Sequence, residues 1–184
     1  MPRLNQIADL DSQKVHDLDR WWRSFRRAGG LPDRADFDPS RWKPLLPFLL
    51  LSECSHAPFR IRYRLVGTAV VYVVGFDFTW RYLDDMLGGI PGEDWIANYR
   101  HASDTRQPVY GSTTVMTVNG DPFHYQFGIF PLSHLASGQD GGSRATLVRQ
   151  FIAIEDYGGY QPRVQSTLLD LTIRPHRQVV PESA

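Results

Sequence analysis

The chain has 184 residues, of which 42% are hydrophobic, and its 20 basic side chains balance 20 acidic ones. That length suits one domain with extensions and a sizeable core, and the apolar content argues against wholesale disorder. The balanced charge leaves no basic excess for neutralising phosphates, so nucleic acid is not an expected partner. The single cysteine, Cys54, allows neither an internal disulfide nor a cysteine metal cage.

The opening MPRLNQIADLDSQK is polar where a secretory signal would be apolar. No apolar run approaches the roughly 20 residues of a membrane span, so a cytoplasmic protein is expected. From Leu10 to Ala28 the spacing predicts an amphipathic helix: Val15, Leu18, Trp22 and Phe25 recur on one stripe, flanked by Trp21. Asp17, Asp19, Arg20, Arg23, Arg26 and Arg27 form its solvated face, and Gly29-Gly30 with Pro32 supply the stop. Asp38-Pro39 predicts a short helix through Trp42 and Leu45, ending near Pro47. Phe48–Glu53 and Phe59–Leu65 follow as strands joined by a turn at Ser55-His56-Ala57-Pro58; the second alternates apolar residues with arginine, the mark of one wet face.

Leu65 to Trp80 is ambiguous. Its valines favour a strand, whereas Gly67-Thr68 and Gly75 are helix punctuation. The segment lies at a crossover between strands, and burial can override a helix penalty of at most ~0.7 kcal/mol per residue, so a helix over TAVVYVV is expected, with Thr68 as its cap and Gly75 as its left-handed exit. A second short helix is expected from Thr79 through Tyr82, Leu83, Met86 and Leu87, closed by Gly88-Gly89. A longer one runs from Glu93 to Thr105, with Trp95, Ile96, Tyr99 and Ala102 on one face. Three antiparallel strands complete the pattern, Val109–Val118, Phe123–Leu132 and Ala145–Glu155, the first two joined at Asn119-Gly120-Asp121. The loop His134–Arg144 is long and polar, and the last ten residues are expected to be disordered. The expected organisation is an N-terminal helical extension over 1–47, a core over 48–157 and a C-terminal tail over 158–184.

Three segments in order, Leu31 to Pro39 (LPDRADFDP), Tyr63 to Thr68 (YRLVGT) and Gly75 to Arg81 (GFDFTWR), resemble a bacterial family of short stand-alone PAS proteins. The resemblance covers roughly Leu10 to Asp156. It implies an α+β fold: a five-stranded antiparallel sheet with short helices on one face, here carrying the N-terminal helical extension, that senses ligands or mediates protein contacts. Trp80 stands where that family usually has glycine.

Enzymatic motifs are scarce. There is no nucleophile elbow, phosphate loop or His-Glu-x-x-His pair, Gly88 to Gly92 lacks the lysine of a nucleotide loop, and adjacent Asp84-Asp85 would not face each other on a helix. Flavin-adduct photosensors of the resembled fold carry a reactive cysteine in a region that here, from Gly75 to Met86, has none; Cys54 is expected to be a buried, inert thiol. Haem-binding members use a histidine at a position matching Gly92, and His101 should look outward. No cofactor is singled out. Alternation in Phe123–Ile129 sets His124 and Gln126 on one face, with Phe123, Tyr125 and Phe127 on the other. Together with Gln150, Met116, Trp95 and Tyr99, His124 and Gln126 are the candidate ligand-binding set, polar groups in a mainly apolar pocket. Trp21, Trp22 and Phe25 are candidate interface residues, packing on the sheet or on a second subunit. The expected function is a non-catalytic sensory or regulatory module that binds a small molecule or a signalling protein and forms a homodimer. The alternatives are a pure interaction or dimerisation module with a filled core, and a small-molecule enzyme with His124 as its base.

Overall fold

The computed structural model describes residues 3–25, 30–86, 93–116, 122–133 and 147–159. Strands β1 (Arg3–Asn5), β2 (Leu49–His56), β3 (Phe59–Val66), β4 (Val109–Met116), β5 (Pro122–Leu132) and β6 (Gln150–Asp156) form one sheet in the order β1-β4-β5-β6-β2-β3. Every neighbouring pair is antiparallel. The helices are α1 (Gln13–Phe25), α2 (Thr68–Val74), α3 (Leu83–Met86) and α4 (Glu93–Thr105). The expected five strands are therefore six: β1, a three-residue strand with no apolar alternation, extends the edge of β4. The expected Asn119-Gly120-Asp121 turn, the Gly88-Gly89 helix stop, the His134–Arg144 loop and the tail beyond 159 lie outside the described residues. Among the described residues no helix is long and apolar enough to cross a membrane.

Both sheet faces are covered. Helix α1 lies on the outer face, against β5 and β6, and its Val15, Leu18 and Trp22 are fully buried. The Trp22 indole Nε1–H donates to the Pro131 carbonyl at 2.7 Å. Ser12 sets the start of α1, three residues inside the expected range, by accepting the Val15 N–H at 3.1 Å. Leu10, Leu31 and Phe37 join the same buried cluster as the sheet, so residues before 48 complete the core rather than hang from it. Asp38 begins only a 3₁₀ turn over Pro39–Trp42, accepting the Ser40 N–H at 2.9 Å.

The valine-rich segment is helical. α2 buries Val70 and Val73, three residues apart, which secures a helix of weak formers through packing. Its N-cap is Gly67, not Thr68, and no side chain caps it. A Cβ at Gly67 would lie 2.2 Å from the Pro47 carbonyl oxygen, so only glycine lets α2 approach the preceding turn. Gly75 closes the helix at φ 88°, donating its N–H to the Val71 carbonyl at 2.8 Å. The next helix is shorter than expected. Thr79 is not its cap, because Asp77 accepts both the Thr79 N–H (2.8 Å) and its hydroxyl (2.6 Å) in a local turn, and α3 begins only at Leu83.

Trp80, in the glycine position of the resembled family, keeps the backbone a glycine would adopt, with φ 72°. Its ring is 52% exposed and lies under the Arg64 guanidinium at 4.0 Å. A left-handed residue with a Cβ costs about 1 kcal/mol, and cation–π stacking offsets part of that. Comparing two variants that both lack the ring isolates the backbone cost: Trp80→Gly is expected to exceed Trp80→Ala in stability by about 1 kcal/mol by urea denaturation, and equal midpoints would show that the turn relaxes.

Candidate functional site

Pleating divides the side chains of β6 between two environments: Phe151, Ala153 and Glu155 on one face, Gln150, Ile152, Ile154 and Asp156 on the other. The register carries this division across the sheet, with Phe127 opposite Glu155, Ile129 opposite Ala153 and Tyr63 opposite Ser52. Helix α4 covers the first, inner face. The Trp95 ring lies 4.8 Å from Phe127 and the Tyr99 ring 5.0 Å from Phe151. Tyr63 packs edge-on against Phe78 at 4.8 Å, and Tyr125 against Tyr157 at 5.5 Å.

In the middle of these rings sits Glu155. The Tyr157 hydroxyl donates to its Oε2. No arginine, lysine or histidine among the described residues pairs with it. Burial pushes the Glu155 carboxyl up to about 7, and the Tyr157 hydrogen bond offsets only part of that. Burial likewise pushes the phenols of Tyr63, Tyr99, Tyr125 and Tyr157 upward, with the Glu155 charge adding to the effect on each. Tyr99 lies beside Tyr63 and the buried Ser52. Trp95, Tyr125 and Glu155 point inward yet remain only half-buried, which leaves this part of the inner face incompletely covered.

The candidate ligand residues do not converge. Trp95 and Tyr99 reach the inner face, but His124, Gln126 and Gln150 point to the opposite one. His124 is exposed and hydrogen-bonds through Nδ1 with Thr114 Oγ1 at 3.0 Å. Gln126 accepts the Ser12 N–H at 2.8 Å through Oε1 and so anchors the start of α1. Gln150 lies opposite Glu53 and Leu132, its Oε1 buried with no hydrogen-bond partner among the described residues. Met116 ends β4 opposite Pro122. The physical reason is that α1 covers the face on which a recess was expected. The sequence reading passed over Glu155, Tyr157, Tyr125 and Tyr63. The available signal was the two-residue step from Phe151 through Ala153 to Glu155, which aims a carboxylate the same way as two buried apolar side chains.

Of the candidate interface residues, Trp22 is wholly covered by its own sheet and Trp21 packs edge-on against Phe37 at 5.2 Å, while Phe25 is 39% exposed. Cys54 is buried beside the Val148 carbonyl (Sγ to O 3.3 Å), and burial pushes its thiol up to about 12, a poor nucleophile. His101 is exposed on α4. No group of three or more histidine, cysteine or acidic side chains among the described residues is arranged to hold a metal.

A family model described as a PAS domain matches residues 10–140. Solved structures of similar fold include an RNA-binding light-oxygen-voltage receptor at 14% identity, covering 65% of this chain and 32% of that one with a TM-score of 0.43. A second is the LOV protein of Rhodobacter sphaeroides, at 12% identity over 68% of this chain and 70% of that one, TM-score 0.43. A third is the PAS domain of a Colwellia psychrerythraea protein, at 11% identity over 65% and 94%, TM-score 0.41. The chain thus spans about a third of the first receptor's length. A comparison with curated proteins finds no match.

The raised Glu155 midpoint gives stability a direction with pH. The folded state favours the neutral carboxyl, so the stability that Glu155 contributes is complete below the ordinary carboxylate value of 4.5 and is lost as pH rises through about 7. Between pH 5 and pH 8 the urea midpoint of the native chain should therefore fall relative to that of Glu155→Gln. Parallel profiles for the two proteins would show that Glu155 ionises freely.

Proposed function

Because the chain belongs to the PAS domain family, whose members are generally sensory and regulatory modules, we propose that it is a non-catalytic sensor whose ligand occupies the inner recess around Glu155. The observation that carries this reading is the adjacency of Glu155 and Asp156. Glu155 faces the recess; Asp156, the next residue, faces α1, where it accepts the Ser12 hydroxyl at 2.6 Å and the Lys14 ammonium at 2.7 Å. Burial opposes the charge on Asp156, but the hydrogen bonds from Lys14 and Ser12 hold its carboxyl below the ordinary range. Gln126, the second anchor of Ser12, is likewise flanked by the inward Tyr125 and Phe127.

A ligand that shifts β5 or β6 by a fraction of an ångström therefore pulls on both hydrogen bonds that hold the first turn of α1. That couples recess to helix in the manner of a two-state packing change. Native mass spectrometry of protein purified without denaturation should detect a bound small molecule, and Trp95→Ala, which removes a wall of the recess, should lose it. Amide exchange in α1 should change when the ligand is removed. A protein of bare mass whose α1 exchange is unaffected by any metabolite pool would defeat the proposal.

One observation supports a second reading, a docking or dimerisation module. Leu65, Tyr72 and Trp80 expose 45%, 50% and 52% of their surfaces on β3, α2 and the turn that follows. Sedimentation of the native chain and of Leu65→Glu tests it: a dimer dissociated by the substitution supports this reading, and a monomer in both removes it.

A further inference from the structure

The inner face defines a chemical class of occupant. This inference rests on the reading that the recess takes a ligand, and it adds which kind. Glu155 is the acidic side chain of β5 and β6 that faces inward, and its Oε2 receives the Tyr157 hydroxyl. Among the described residues Oε1 has no donor. The Tyr125 hydroxyl, on the neighbouring strand, also has no hydrogen-bond partner among the described residues. Among the described residues the titratable groups that face Glu155 are tyrosines: Tyr157 beyond the end of β6, Tyr125 on β5, Tyr63 on β3 and Tyr99 on α4.

A carboxylate placed among apolar rings needs a positive partner or must give up its charge. Several other carboxylates among the described residues have a cation beside them. Asp156 has Lys14, Asp19 has Arg23, Glu53 has Arg64, and Asp84 and Asp85 share Arg60. Glu155, the acid set among the inner-face rings, has none of them. The side chains around Glu155 include the aromatic Trp95, Phe127, Tyr125 and Tyr157, and aromatic ring faces attract cations and stack on flat groups. An anionic ligand would meet a carboxylate and four electron-rich rings with no cation among the described residues to offset them.

We propose that the recess binds a small, flat organic cation, of the amidinium or protonated nitrogen-heterocycle class, whose N–H groups donate to Glu155 Oε1 while its ring lies between Trp95 and the tyrosines. Binding drives Glu155 to its carboxylate form. A cation that stays protonated throughout should therefore bind about tenfold more weakly for each pH unit below the Glu155 midpoint, and below that midpoint its binding should release a proton to the buffer. Tyr157→Phe removes the Tyr157 donor to the carboxylate but leaves the carboxylate in place. It should keep the preference for the cation and move the pH midpoint upward.

The test is calorimetry of the full chain with benzamidinium, neutral benzamide and anionic benzoate from pH 5.5 to 8. The native chain and Tyr157→Phe are expected to bind benzamidinium alone, with affinity rising with pH and a released proton visible as a dependence of the heat on buffer ionisation enthalpy. Glu155→Gln, checked for folding by circular dichroism, should lose both the binding and the proton. Equal binding of benzamide or benzoate, pH-independent affinity, an undiminished Glu155→Gln, or no binding of benzamidinium would each overturn the assignment. If a neutral or anionic molecule co-purifies and depends on Trp95, the ligand class fails while the sensor reading stands. If Trp95→Ala changes no binding at all, both fail.

Discussion

Successive residues of a pleated strand point to opposite sides of the sheet, and in this molecule both sides are covered. Helix α1 takes one face and α4 the other, so the strands between them serve two interiors at once. In β6 this leaves Phe151, Ile152, Ala153 and Ile154 all buried, without the usual alternation of apolar and polar residues. Every assignment of chemistry to a place follows from this partition. Glu155 and the tyrosines belong to the space beneath α4, whereas Gln126, Gln150 and Asp156 belong to the layer beneath α1.

The same partition explains what the sequence made legible. The helix over Thr68–Val74 could be read from its flanking glycines and from strand order, and α4 from the spacing of Trp95, Tyr99 and Ala102. The hairpin of β2 and β3 followed from the arginine alternation of one strand and the turn before it. The face of β5 that turns toward α4 was not legible, because Phe123-His124-Tyr125-Gln126-Phe127 shows two phases without showing which helix each one meets. That choice is made by α1, whose start at Ser12 depends on Gln126 and Asp156, more than a hundred residues away. Strand β1 was invisible for a related reason. Arg3–Asn5 has no propensity of its own and is ordered by the open edge of β4.

Trp80 shows how a substitution can change a surface without changing the backbone beneath it. The turn holds its left-handed geometry because the Trp80 N–H donates to the Tyr63 carbonyl (2.8 Å) and the Tyr63 N–H to the Arg81 carbonyl (3.0 Å). Two hydrogen bonds to the edge strand β3 outweigh the steric cost of one side chain. The indole is then available to Arg62 and Arg64, and with Tyr82 over Arg60 it gives the edge of β3 a row of stacked cations and rings. Stacked guanidinium groups that are also ion-paired make a poor template for another strand, which protects that edge.

The placement of Glu155 and Asp156 side by side also constrains how homologous chains can vary in length. Losing or gaining a single residue upstream within β6 would rotate the strand by half a pleat, exchanging the two carboxylates between compartments: one would be stranded without its lysine and the other delivered to the wrong helix. Insertions and deletions in this strand should therefore survive in pairs, or where a bulge absorbs the odd residue, as happens between Leu51 and Ser52 on the neighbouring strand.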